Sequence, residues 1–237
     1  MIGTIVNTAG IVAGGICGMQ FGRALNSRHQ QTLTVACGVS TLFIGISGAM
    51  SAMLHTDHFP MGGGMLVVLC LTLGGLIGEW LNIERWFEVF GEWLKRKTGN
   101  ARDAGFVNGF VTASLTVCIG AMAIVGSIQD GLTGDWSTLG AKAVLDLIIV
   151  LVMTCSMGKG CMFSAIPVFA LEGGMTLLAG VLRPLMTDAA MSHLSLVGSV
   201  LIFCVGVNLV WGKKVRVANL LPALILAVAA AFLPLQF

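Results

Sequence analysis

Apolar residues run along this chain in blocks of about twenty, separated by short polar connections. A helix needs roughly 20 mostly apolar residues to cross a bilayer. The blocks at 2–22, 32–54, 62–82, 104–128, 139–158, 161–182, 190–211 and 218–236 all meet that length. The pattern predicts an all-α, polytopic transmembrane bundle of about eight spans, with 1–237 forming a single integral membrane domain. One stretch is ambiguous. In "GKGCMFSAIP" (158–167), Gly158, Lys159 and Gly160 break the helical run, and Pro167 can bend the next segment. A broken helix there, with a re-entrant segment in place of 161–182 and seven full crossings, fits nearly as well as eight spans.

The third connection has a period of its own. "NIERWFEVFGEWLKRK" (82–97) puts Ile83, Trp86, Phe87, Phe90, Trp93 and Leu94 on one helical face and Glu84, Glu88, Glu92, Lys95 and Arg96 on the other. This spacing predicts an amphipathic helix lying in the membrane interface, tryptophans at headgroup level. It reads as a membrane-surface strut or as a docking surface.

Composition supports the same class. Hydrophobic residues make up 56% and charged residues 10% of the chain, with a mean hydropathy of +0.93. A soluble domain would carry about 25% charged residues. The 32 glycines suit close helix approach in a bilayer, and they leave a homo-oligomer open. A net charge of +2 without a basic, aromatic-interleaved stripe argues against a nucleic-acid partner. The seven cysteines lie within apolar runs and show no metal-ligand spacing. No Walker A, HExxH or GxSxG motif occurs, so no cofactor, metal centre or catalytic residue is expected. The "HTDH" string, with His55 and His58 around Asp57, offers only a weak metal contact.

Basic residues orient the bundle. Arg23, Arg28, Arg85, Lys95, Arg96, Lys97, Arg102, Lys159, Lys213, Lys214 and Arg216 fall on one side of the eight-span arrangement; the opposite connections contain only Arg183. By the positive-inside rule the first side is cytoplasmic and both termini lie outside.

Polar residues within spans carry the candidate chemistry. Ionisable side chains are costly in hydrocarbon and usually face a bundle interior or a water-filled path. In "AKAVLDLIIVLVMTC" (141–155), Lys142 and Asp146 are one turn apart on one face and can pair. Asp146 lies about 12 Å below its helix start at 1.5 Å per residue; Lys142 is nearer the outer surface and could snorkel there. Two readings stay open: a structural ion pair, or an ion- or substrate-site carboxylate. Asn7, Asn108, Thr112, Asn208 and Asn219 are uncharged polar groups in or at the ends of spans, either interhelical hydrogen bonds or site ligands. Asp130 and Asp135 in "SIQDGLTGD" (127–135) could form an acidic mouth that draws cations. Glu79, at a span end, is expected to reach headgroup water. A helix break at Gly158–Gly160 followed by Ser164 would expose backbone groups and a hydroxyl, as broken helices do at transporter sites.

Several strings together resemble a known family: "MIGTIVNTAGIVAGG", "GFVTASLTVCIGAMAIVGSIQDGLTGD", "KAVLD", "FSAIP", "MTLLAG" and "RVANLLPALILA". The chain resembles, over essentially its whole length, the YqgA/YdfK-like bacterial inner-membrane family of unknown function. The resemblance implies a multi-span protein of the bacterial plasma membrane. The family has carried a provisional label of sodium channel or pump, which is not an assigned activity, and it supplies no established site residues. The combined expectation is a channel or secondary transporter for a small cation or small solute. Asp146 would be the charge-bearing centre, Lys142 its partner, and Ser164, Asn108, Thr112, Asn208 and Asp130 would contribute along the path. Gly158, Gly160 and Pro167 would form the helix break. Transport would be passive, gradient-coupled or driven by a separate subunit. The alternative is a non-transporting sensor or assembly protein that docks partners through the 82–97 helix.

Overall fold

Four glycines at four-residue intervals set a close contact between two helices. In the computed structural model, which describes residues 1–54, 62–100, 103–119 and 121–232, the first helix α1 (Ile2–Ala24) lies along α7 (Ser137–Met157). Gly10, Gly14, Gly18 and Gly22 meet Ala143, Leu147, Leu151 and Cys155 in turn. Both series advance by four, so the two helices run parallel and in step. A Cβ on Gly18 would stand 2.5 Å from the Leu151 carbonyl oxygen. Only glycine permits that approach, which replaces a hydrophobic driving force with dense backbone packing. A second, antiparallel pair joins α2 (Ser27–Leu54) to α10 (Asp188–Trp211), where Gly38 faces Leu209 and Val210, and Gly45 faces Phe203.

The remaining elements fill in around these pairs. They are α3 (Gly63–Leu81), α4 (Ile83–Lys97), α5 (Phe106–Cys118), α6 (Ala121–Thr133), α8 (Ala165–Leu177), α9 (Ala179–Leu182) and α11 (Pro222–Ala230). Short 3₁₀ turns at Lys159–Ser164, Arg183–Leu185 and Val217–Leu220 link some of them. All regular elements among the described residues are helical. Ile11, Ala113, Val150, Met153, Val168 and Leu201 share one buried apolar cluster that ties α1, α5, α7, α8 and α10 together.

Among the described residues, six helical segments are long and apolar enough to cross a membrane, or seven if one bent pair counts as a single span. That pair corrects the expected unbroken span at 104–128: α5 and α6 meet at an angle of 62°. The helix stops because Ile119 takes an extended backbone (φ −83°, ψ 119°) and bonds back to the Leu115 carbonyl. The expected final span, 218–236, is covered by the described residues only as far as 232, and 233–236 lie outside them. Its described part consists of the 3₁₀ turn at Val217 and α11, with Pro222 comfortable at its first turn.

The break expected at 158–167 lies where the sequence put it but has a simpler form. Gly158, at φ 92°, ends α7; glycine alone takes this conformation freely. The chain then winds through the 3₁₀ turn into α8. Gly160 packs so tightly on the Phe106 carbonyl that no side chain fits there. Pro167 lies in the first turn of α8, where its missing N–H costs nothing, and it kinks no span.

The α4 helix keeps its amphipathic face with one correction. Trp86 and Trp93 are exposed, whereas Leu94 packs with Phe106 and Phe110. Glu84, expected on the wet face, is buried against Lys213. The connection following α10 folds over this end of α4 and takes up part of its polar face.

Candidate functional site

Lys142 and Asp146 belong to the face of α7 that also buries Leu139, Ala143, Val150 and Met153. Positions at i, i+3, i+4 and i+7 share one helix stripe, so burying its apolar members carries the two charges inward. Asp146 is 4% and Lys142 6% exposed. The expected snorkelling of Lys142 toward the surface does not occur. Its ammonium is held inside by an ion pair with Asp146 and by a 2.9 Å hydrogen bond to the Val117 carbonyl oxygen. That carbonyl is in the last turn of α5, where the helix leaves oxygens without an amide partner. The break in the α5–α6 span thus presents an acceptor, and the lysine fills it.

A third ionisable group completes the cluster. Glu172, from the middle of α8, is 0% exposed, and its Oε1 lies 3.5 Å from Lys142 Nζ. Asn7 of α1, also fully buried, donates its Nδ2–H to Glu172 Oε1 at 2.7 Å. One turn along α8, the Thr176 hydroxyl donates to the Glu172 carbonyl oxygen and lies 3.3 Å from the Thr4 hydroxyl. Three helices and one helix terminus therefore converge, bringing one cation and two carboxylic groups into the interior of an apolar bundle. Glu172 had no place among the candidates read from sequence. Its signal was available, as the lone acidic residue in the apolar run from Ala165 to Leu182. Asn7, by contrast, is readable as a polar residue within a span, and the α1–α7 contact decides that it meets Glu172.

The other sequence candidates lie elsewhere. Asn108, Thr112 and Asn208 line a cavity of about 510 Å³ at the α4 end of the molecule, with Glu84, Glu88 and Lys213. Asn208 also has a structural task there: its Oδ1 accepts from the Lys214 and Val215 amides, and its Nδ2 donates to the Val215 carbonyl. Ser164 is buried at the start of α8, and its hydroxyl makes no bond to the cluster. Asp130 is not part of an open acidic mouth. It is buried near the start of α1, where it accepts from the Gly3 amide at 3.0 Å and pairs with the Met1 amino group at 2.8 Å. Asp135 is exposed, and the Ser137 amide bonded to it lowers its pKa below the usual aspartate value. The "HTDH" string lies outside the described residues. No group of three metal-ligating side chains occurs among the described residues.

A second cavity, of about 470 Å³, is almost wholly apolar; Phe87, Ile119, Pro167, Leu194 and Leu224 are among its walls. Among the described residues, Leu115 alone lines both cavities. A polar vestibule thus backs onto an apolar chamber at the α5–α6 break, one helix away from the charges. Neither cavity has Lys142, Asp146 or Glu172 among its walls. The cluster is closed in this conformation.

At the α4 end, charges are arranged differently. Glu79 does not simply extend into solvent: it pairs with Arg216 and accepts from Asn219 Nδ2 at 2.6 Å. The Asn219 Oδ1 in turn accepts from the Glu84 amide at 2.7 Å, in the first turn of α4. Lys213 bridges Glu84 and Glu88. Its ammonium holds the Glu88 carboxyl below the usual glutamate value.

Comparison with known proteins agrees with a membrane bundle and supplies no activity. The profile of a family described as a protein of unknown function (DUF554) matches residues 2–232. The uncharacterised membrane protein YdfK of Bacillus subtilis is 30% identical over 233 residues, 98% of this chain and 96% of YdfK. The uncharacterised protein YqgA of Escherichia coli is 28% identical over 231 residues, 96% of this chain and 94% of YqgA. No solved structure matches the chain.

Proposed function

Because the chain belongs to this family of membrane proteins without an assigned activity, we propose from its own geometry that it carries a small cation or small solute across the bacterial inner membrane. The observation behind this reading is the buried cluster of Lys142, Asp146 and Glu172 beside the break between α5 and α6. A buried ion pair rarely improves on well-packed apolar residues, so stability alone is a poor reason to place three ionisable groups at this depth. With all three ionised the cluster carries one more negative than positive charge. A proton or another cation must balance that excess, which makes the cluster a place where one can bind and leave.

The two cavities fit a route to it. The vestibule with Asn108, Thr112 and Asn208 lies beside Arg85 and Lys213, on the side that the positive-inside rule assigns to the cytoplasm, and Leu115 separates it from the apolar chamber at the helix break. A movement of α5 against α6 would join these spaces and bring the Lys142–Val117 contact to the path. Discontinuous helices at a midplane site work this way in transporters.

Purified protein in liposomes tests the reading, with native chain compared with Asp146→Asn. A cation-dependent flux in the native protein, lost in the variant, is expected. Undiminished flux in Asp146→Asn would remove the cluster from the pathway. The competing function, a scaffold docking partners through the 82–97 helix, draws on exposed Trp86 and Trp93. It predicts no flux of any solute from native protein.

A further inference from the structure

Two buried atoms of the cluster have no hydrogen-bond partner: Glu172 Oε2 and Asn7 Oδ1. They belong to side chains already joined by one hydrogen bond, from Asn7 Nδ2 to Glu172 Oε1. Ionised, Glu172 offers only acceptors, and the remaining amide oxygen is an acceptor as well. Two acceptors cannot satisfy each other. A single proton on Oε2 satisfies both, because an acid O–H can donate to the amide oxygen while the amide N–H donates to the acid carbonyl. We propose that Glu172 carries a proton in this conformation, paired reciprocally with the Asn7 amide, and that this pair is the proton-binding site of the cluster.

The surrounding charges agree. From α7, Lys142 and Asp146 face Glu172, and their ion pair is complete without it, since the ammonium bonds Asp146 and the Val117 carbonyl and only approaches Glu172, at 3.5 Å. From α6, Asp130 is taken up by the Met1 amine and the Gly3 amide. With Glu172 neutral, the cluster holds one ammonium and one carboxylate and has no net charge. When Glu172 releases its proton to water entering from an opened path, one negative charge appears. Lys142 is then shared between two carboxylates, its hold on the Val117 carbonyl is weakened, and the α5–α6 break is freed. Proton occupancy at Glu172 thereby sets the geometry of the break. This functional consequence rests on the transport reading; the protonation itself does not.

Infrared spectroscopy of the full chain reconstituted in lipid bilayers at neutral pH decides the matter without any flux measurement. The native protein is expected to show a deuterium-sensitive carbonyl band of a protonated, hydrogen-bonded carboxylic acid. Glu172→Gln keeps an amide able to pair with Asn7, should melt close to the native protein, and should lack the band. Absence of the band from native protein, or its persistence in Glu172→Gln, overturns the assignment. Should Glu172→Gln fail to fold, Asn7→Ala decides instead: the band moves to higher frequency if the amide holds the acid, and an unmoved band overturns the pairing. A second readout separates a proton site from a structural acid. In Asp146→Asn the ammonium has only Glu172 left as a carboxylate partner, so Glu172 ionises and the band fades; full intensity there rules out the coupling. A band that behaves as expected in a protein with no flux would retain the proton and discard transport.

Discussion

Two charged networks in this protein use the same residue types under opposite conditions. Lys142, Asp146, Glu172 and Asn7 lie in the packed interior, on three spans, with all four side chains buried. Glu79, Glu84, Glu88, Lys213, Arg216 and Asn219 knit α3, α4 and the connection after α10 together, and there the cationic ends are more than half exposed. Glu84 and Asn219 of the second network are buried, but its cationic ends sit in a medium that screens charge, so its exposed pairs contribute little and can be remade by water. The first has no such substitute, and a missing partner leaves a bare charge in a low dielectric. The contrast teaches which network depends on every one of its members. A wet network can be assembled from many equivalent charges; a buried one of three ionisable groups must be compensated group by group.

The sharpest way to break the comparison is Lys142→Met. It strands Asp146 and the Val117 carbonyl, at an expected cost of ~3–5 kcal/mol, the range for breaking a buried pair. Thermal denaturation in detergent should show a large drop, partly recovered when Asp146→Leu is added. Next comes the frame that carries Asn7 to Glu172. Gly14 abuts the Leu147 carbonyl so closely that a side chain must push α1 and α7 apart. Gly14→Val should cost ~1–3 kcal/mol by overpacking, whereas Gly64→Ala, with nothing near its missing Cβ, should melt like the native protein.

Lys213→Gln should be milder than Lys142→Met: its half-exposed pair with Glu88 contributes under about 1 kcal/mol and is screened by salt, while the buried Glu84 also loses a partner, so part of the difference should persist at high salt. Its pH dependence comes from Glu88. The Lys213 ammonium lowers the Glu88 value in the folded protein below the ordinary 4.5. A lowered carboxylate stabilises the fold above the ordinary value, and that contribution is lost as pH falls through the lowered one. The Glu88 share of the stability gap between native protein and Lys213→Gln should therefore be constant above 4.5 and be lost below it. A gap as large as that of Lys142→Met would erase the distinction between the two networks.

Residue patterns made some of this legible in advance. The pairing of Lys142 with Asp146 needed only a four-residue spacing on a helix, and the break at Gly158 needed only paired glycines in an apolar run. The amphipathic face of α4 was readable for the same reason, except at Glu84, whose burial depends on a loop more than a hundred residues later. Glu172 illustrates the limit from the other side. A lone glutamate in a span announces itself, but nothing local says that it will meet Asn7 and Lys142. Asn108, Thr112 and Asn208 were grouped with Asp146 because all are polar residues in spans; the fold gathers the three of them at the α4 end and leaves Asp146 elsewhere.

Hydropathy along the chain by itself determined the class of protein, the run of helices and the residues too polar for lipid, because those properties depend on composition and on spacing within one element. Which helices touch was decided only in three dimensions. The α1–α7 approach, the bend after Cys118 and the meeting of Asn7 with Glu172 all depend on surfaces far apart in sequence, matched by shape and by the need to satisfy each buried polar atom. The net charge of the interior is a property of that meeting, and no single stretch of sequence contains it.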